Sequence, residues 1–152
     1  MSNVLVIAEQ LEGKLKKSSL HALAAGQQLA GRTGGKVVAL LLGKGIGEAA
    51  AELAAHGPAE VLAADDAKVE HALAEVYSKA IEKAVKDTGA TFVIAATTSQ
   101  GKDVLPRVAA RLSAGMASDV IAFGGSGADV SFKRPMWAGS VIAEVEISTP
   151  VK

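Results

Sequence analysis

Apolar positions along the chain fall into short unbroken runs separated by amphipathic stretches. Val4-Leu5-Val6-Ile7-Ala8, Val37-Val38-Ala39-Leu40-Leu41-Leu42, Val61-Leu62-Ala63-Ala64 and Thr91-Phe92-Val93-Ile94-Ala95-Ala96 are such runs. Lacking alternation, they predict strands, buried on both faces at Thr91–Ala96, buried at Val37–Leu42, and shorter at Val61–Ala64. A loop from Glu9 to Lys17 follows the first. Ser18 or Ser19 then offers a cap to a helix whose Leu20, Leu23, Ala24 and Leu29 share a face and which ends at Gly31. A second helix follows Gly43-Lys44-Gly45-Ile46-Gly47 and runs to His56, where Gly57-Pro58 stops it. Asp65 and Asp66 offer a cap to the longest helix, near 67 to 87, with an apolar stripe of Leu73, Val76, Tyr77, Ile81 and Val85. Its Glu75/Lys79 and Glu82/Lys86 pairs stand in the favourable order, worth about 0.2–0.5 kcal/mol each when exposed. A fourth helix starts near Asp103 with Val104, Leu105, Val108 and Leu112 on one face and Pro106 in its first turn. This alternation predicts βαβ units, hence a parallel sheet with right-handed crossovers.

The pattern changes after Ser113. Ser118 to Phe123 reads as a strand, Gly124-Gly125-Ser126-Gly127 as a turn, and Val130 to Arg134 alternates like an antiparallel strand. Pro135 to Gly139 interrupts it, and Val141 to Ile147 alternates again, with Val141, Ala143, Val145 and Ile147 on one face. The expected fold is one α/β domain over residues 1–152, a three-layer sandwich whose mostly parallel sheet closes with an antiparallel hairpin.

Composition narrows the function. The 152 residues are 49% apolar, enough for one core. Lys plus Arg and Asp plus Glu balance at 16 each, without the basic excess of a nucleic-acid binder. No apolar run approaches the ~20 residues of a membrane span. The first strand begins without a leader-like segment, so a cytoplasmic location is expected. Cys is absent, which removes disulfides and thiolate chemistry.

One stretch holds candidate binding chemistry. Thr97, Thr98, Ser99, Gln100, Gly101 and Lys102 join an apolar strand to a helix, the arrangement that forms anion sites in parallel α/β sheets. The same hydroxyls would equally cap the helix and satisfy the loop, and that reading is favoured. The Gly43–Gly47 loop lacks GxGxxG spacing and reads as a tight turn with positive φ. His21, His56 and His71 have no ligand spacing, so no metal is expected, and no catalytic set emerges. Asp103 reads as a helix cap and Asp119 as ordering the loop that enters its strand. Arg107 and Arg111 share one helical face, which reads as a solvated polar face before an anion patch or a subunit contact. Trp137 follows Arg134-Pro135 between two strands, where it either covers the hairpin or anchors a partner.

Three segments together carry a family resemblance: Gln100-Gly101-Lys102-Asp103-Val104-Leu105-Pro106-Arg107-Val108-Ala109-Ala110-Arg111-Leu112, Ser118-Asp119-Val120, and Arg134-Pro135-Met136-Trp137-Ala138-Gly139-Ser140. With Ala8-Glu9 after the first strand, they resemble the N-terminal domain of the electron transfer flavoprotein alpha subunit. Trp137 stands where that family usually has Tyr, and Ser140 where it usually has Asn. The resemblance implies a fold of the adenine nucleotide hydrolase type. The implied role is a scaffold and subunit interface in a protein that carries electrons from acyl-CoA and related dehydrogenases through FAD. It also implies that FAD belongs to the complete flavoprotein, held mostly by a C-terminal domain, and that this chain alone holds none and does no redox chemistry. The implied partners are the beta subunit and that FAD domain, with Arg134, Met136, Trp137, Val141 and Val145 as contact residues. A homodimer is expected for the isolated chain. The alternative is a free-standing AMP- or ATP-binding module using the Thr97–Lys102 turn.

Overall fold

A computed structural model describes residues 2–127 and 129–152. The four unbroken apolar runs form strands β1 (Asn3–Ala8), β4 (Val37–Gly43), β5 (Glu60–Asp65) and β6 (Ala90–Ala95), paired in the order β5-β4-β1-β6, all parallel. A short hairpin, β2 (Gln10–Leu11) and β3 (Lys14–Leu15), occupies the stretch expected to be a loop after β1. Helices α1 (Lys17–Thr33) and α2 (Gly47–Ala55) cover one face, and α3 (Ala74–Thr88) and α4 (Ser99–Leu112) the other. The central strands β1 and β4 alternate their side chains between the two cores: Val4, Val6, Ala39 and Leu41 toward α1, Leu5, Ile7, Val38 and Leu40 toward α3 and α4. This explains why both runs are apolar without alternation.

Several boundaries differ from expectation. Neither Ser18 nor Ser19 caps α1: its N-cap is Lys16, Ser19 is buried within the first turn, and the helix passes Gly31 to end at Gly34. The expected helix from 67 to 87 is two pieces. Asp66 caps only a 3₁₀ turn, Ala67–Val69, and α3 begins after Leu73, which is 60% exposed rather than part of the stripe. Asp65 caps neither piece. Its carboxylate instead accepts the Gly45 and Ile46 N–H groups at 2.8 and 3.1 Å, bracing a turn in which Gly45 has φ +65°. The longest helix is therefore α1, not α3.

The N-terminus of α4 lies earlier than expected. Thr98 is its cap, accepting the Gly101 N–H at 3.0 Å, so Asp103 is not, and Pro106 falls in the helix interior. A Cβ on Gly101 would stand 2.3 Å from the Ala96 carbonyl oxygen, so a glycine is required for so close an approach. This contact, rather than intrinsic propensity, starts the helix before Pro106. Arg111 reaches across to α3 and shares the Glu82 carboxylate with Lys86. Lys86 and Arg111, hydrogen-bonded to that carboxylate, hold it below the usual Glu range.

β6 is an edge strand, which corrects its expected coverage on both faces: Ala90 and Phe92 are buried, while the residues toward Ala95 are half-buried. On its outer edge, the Lys152 N–H donates to the Thr91 carbonyl and the Val93 N–H to that of Lys152, at 2.9 and 2.8 Å. The closing strands do not extend the parallel sheet. β7 (Ala122–Gly124), β8 (Ser131–Met136) and β9 (Val141–Glu146) form a separate antiparallel sheet in that order. Only its last part keeps the strand expected from Ser118, because Asp119 sits at φ +56°, outside extended geometry. Phe123, Phe132, Val145 and Ile147 of this sheet pack on the α1-side core, with the two phenyl rings edge to face at 6.0 Å. Pro135 lies within β8 rather than breaking it.

Tyr77 ties α3 to the sheet. Its ring is buried and its hydroxyl lies 3.1 Å from the carbonyl oxygens of both Leu42 and Val69, donating to one of them. Burial first, and the Glu9 carboxylate second, push its pKa above 10.0. The phenol therefore holds its proton in the folded chain at pH values where the unfolded chain has lost it. That contribution is complete below pH ~10 and is lost as pH rises through the folded pKa. Tyr77→Phe should cost about 0.5–1.5 kcal/mol near neutrality. Urea titrations at neutral and alkaline pH should show the gap to the parent narrowing above pH ~10. A gap that is absent at neutral pH, or that widens in alkali, would contradict this role.

Candidate functional site

Three features could serve function: a crevice at the carboxyl ends of the parallel strands, an apolar cavity beside β6, and the projecting end of the β8–β9 hairpin. The crevice follows from topology. The chain leaves β1 through α1 toward β4 and later returns through α3 to the opposite side of β1, so the carboxyl ends of β1 and β6 flank the point where the connections diverge. Ligands of open parallel sheets bind at such a point. Here it contains Glu9, immediately after β1, and the Thr97–Lys102 turn, immediately after β6.

Glu9 is only 3% exposed. One carboxylate oxygen accepts a hydrogen bond from the Thr98 hydroxyl, and the other pairs with the Lys16 ammonium at 3.3 Å. Its N–H donates to the Ser19 hydroxyl at 2.7 Å, and its carbonyl accepts from that hydroxyl at 3.0 Å and from the Lys16 N–H at 2.9 Å. One residue thus joins the end of β1, the first turn of α1 and the cap of α4. The buried charge is matched by a cation and a hydroxyl, as burial demands.

The cavity has a volume of about 430 Å³ and lies along the outer side of β6. Phe92, Ile94, Leu105, Leu112, Phe123 and Ile147 make its walls apolar. Ser18, His21, Thr97, Thr98 and Ser118 also line it, and there the Lys102 ammonium stands 3.8 Å from the Asp119 carboxylate. The Lys152 ammonium lies 5.3 Å from the centre of the Phe92 ring.

The hairpin runs from core to solvent. Cross-strand pairs Phe132–Val145, Arg134–Ala143 and Met136–Val141 share one face, which is buried at Phe132 and exposed at Met136 and Val141. Arg134 donates to the Ser118 hydroxyl at 3.0 Å, while its buried Nε has no partner among the described residues. Trp137 sits at the tip, 77% exposed, and Ile142 on the opposite face is also exposed. Trp137, Ala138 and Gly139 follow one another at φ 48°, 53° and 88°. Left-handed backbone at a bulky residue is strained, and the exposed Trp137 indole is not covered by local packing.

Of the sequence candidates, the structure brings Thr98 and Gly101 into the crevice through the α4 cap. Lys102 instead faces Asp119 across the turn. Asp103 pairs with Arg107 on the exposed side of α4 at 3.7 Å. Among the hairpin candidates, Met136, Trp137 and Val141 lie together in solvent, while Val145 packs toward the core. The sequence reading passed over Glu9 as a site residue. Its signal was an acid directly after an apolar strand, at the point where the sheet changes direction.

The electron transfer flavoprotein domain family matches residues 4–152. The electron transfer flavoprotein subunit alpha of Bacillus subtilis is 33% identical over 148 residues, covering 97% of this chain and 45% of that protein. Protein FixB of Clostridium saccharobutylicum is 36% identical over 144 residues, 93% of this chain and 43% of its own length. The alpha subunit of Pseudomonas aeruginosa is 36% identical over 151 residues, 98% of this chain and 46% of its own. The chain thus spans less than half the length of these curated relatives. With a family match across nearly all of its residues, this chain belongs to the electron transfer flavoprotein family.

Proposed function

We propose that the chain serves as the N-terminal scaffold domain of an electron transfer flavoprotein alpha subunit, contacting a beta subunit and leaving FAD to a separate C-terminal domain. The observation that carries this reading is the alignment of nearly the whole chain with less than half of proteins named as that subunit. Two local charge pairings support leaving the flavin dinucleotide to another domain. In the crevice the buried Glu9 pairs with Lys16, and along the cavity Lys102 faces Asp119. A pyrophosphate needs cations and converging donors, and these pairings engage Lys16 and Lys102 with carboxylates of the chain itself. The domain then acts by holding subunits in register, within a protein that accepts electrons from acyl-CoA and related dehydrogenases in the cytoplasm. The hairpin tip, with Met136, Trp137 and Val141, is the contact surface this role requires, and Arg134 with its buried Nε lies at its base. When the chain is alone at high concentration, a second copy is the nearest substitute for the missing subunit.

The test is flavin fluorescence titration of the chain at micromolar concentration, alone and mixed with beta subunit. Alone it should show no saturable FAD binding, while the beta subunit should bind it as a one-to-one complex. Sub-micromolar FAD binding by the chain alone would overturn the scaffold assignment, and failure to bind beta subunit would overturn the partner.

A further inference from the structure

We propose that Arg134 is the docking cation of the hairpin face, and that the beta subunit meets it with a carboxylate set among apolar side chains. This rests on the scaffold role proposed above and names what the partner must present. Lys16 and Lys133, half-buried like Arg134, each face a carboxylate of the chain, Glu9 at 3.3 Å and Glu144 at 4.0 Å. Arg134 forms no salt bridge among the described residues. Its Nη2 donates to the Ser118 hydroxyl, and its buried Nε has no acceptor there. Taking a cation part of the way out of water without a matching charge costs stability, and one neutral hydroxyl does not offset it. The side chain is only half-buried, so the guanidinium remains within reach of an incoming group.

Strand register explains why the chain leaves this charge unmatched. Lys133 and Arg134 are successive residues of β8 and belong to opposite faces. On β9, Glu144 stands opposite Lys133 and also accepts from the Ser131 hydroxyl, so it serves the other face. Opposite Arg134 stands Ala143, which has no acceptor to offer. Further out, the Arg134 face carries the exposed Met136 and Val141, and the strand ends at Trp137. The surface is therefore apolar with one positive charge at its inner edge. A purely apolar partner would dry that charge and raise its cost, whereas a carboxylate placed there forms a charge-assisted pair. The planar guanidinium suits a carboxylate best. A second copy meeting this face would bring two guanidinium groups together, with no acid among Phe132, Arg134, Met136, Val141, Ala143 and Val145, and is the weaker occupant.

Calorimetry against purified beta subunit tests this with Arg134→Met and Arg134→Lys, and thermal unfolding reports the stability of each chain alone. Arg134→Met keeps an apolar stem without the charge. It should unfold at the parent's temperature or above it, because the unmatched charge is gone, yet bind beta subunit at least ~30-fold more weakly. Arg134→Lys, which keeps the charge without the planar fork, should bind more tightly than Arg134→Met and less tightly than the parent. Among beta-subunit variants that each neutralise one surface carboxylate, one should weaken binding of the parent chain as Arg134→Met does and have little further effect on Arg134→Met itself. The proposal fails if Arg134→Met binds as tightly as the parent or as Arg134→Lys, if it unfolds at a clearly lower temperature, or if no beta-subunit carboxylate couples to Arg134. Each of those results leaves the scaffold role standing, because the parent still binds. A parent chain that does not bind beta subunit overturns the scaffold role and this proposal together.

Discussion

Replacing Leu41 with alanine should destabilise the chain by about 2–5 kcal/mol, the largest single loss expected here. Leu41 has no exposed surface and lies in β4, flanked by Ala8 of β1 and Ala63 of β5. Its side chain points to the core shared by α1, α2 and the antiparallel sheet. Its neighbours across the strands are alanines, too small to collapse into the space left behind, so the cavity should persist and the cost should lie toward the upper end. Leu62→Ala on the edge strand β5, where the residue is only half-buried, should cost clearly less. Equilibrium urea unfolding measures both. The midpoint should fall with the slope unchanged, and a Leu41→Ala loss under about 1 kcal/mol would show that this layer is not tightly packed.

Trp137→Ala should leave folding nearly untouched and weaken association with the beta subunit by at least ~30-fold, about 2 kcal/mol. The two readouts separate because Trp137 is 77% exposed and lies beyond the part of the hairpin that packs on the core. The turn at φ 48° is held by backbone, the Ser140 N–H and hydroxyl both donating to the Trp137 carbonyl, while the indole itself stays in solvent. Stability within about 0.5 kcal/mol of the parent is expected by urea unfolding, and the loss of affinity by calorimetry against purified beta subunit. Sedimentation of the chain alone at hundreds of micromolar should show self-association that the substitution reduces. A variant that binds beta subunit as tightly as the parent would remove the tip from the interface.

Much of this was legible in the residues. The unbroken apolar runs at Val4–Ala8 and Val37–Leu42 read as strands, and they became the two central strands. The i,i+4 pairs Glu75/Lys79 and Glu82/Lys86 formed as their spacing required, at 3.2 and 2.7 Å. The combined motifs from Gln100 to Leu112 and from Arg134 to Ser140 pointed to the family that the comparisons show. Each of these signals is local: a period, a pair spacing or a contiguous motif is complete within a few turns of chain.

What the sequence left undecided depended on residues far apart in the chain. Thr98, rather than Asp103, starts α4 because Gly101 must pass the Ala96 carbonyl and because the Thr98 hydroxyl finds Glu9, 89 positions away. Asp65 looked like a helix cap until β4 brought the Gly45 and Ile46 amides to it. β6 looked buried because an apolar edge strand beside a cavity carries the same residues as an interior one. The antiparallel strands alternated as expected, but the same alternation suits an extension of the parallel sheet and a sheet of their own, and the fold took the second. Local pattern therefore determined the elements and the family, through hydrophobic period and contiguous motif. Only the tertiary structure decided which groups fill the crevice and which face of the hairpin meets solvent, because charge pairing and burial are settled between segments that the fold alone brings together.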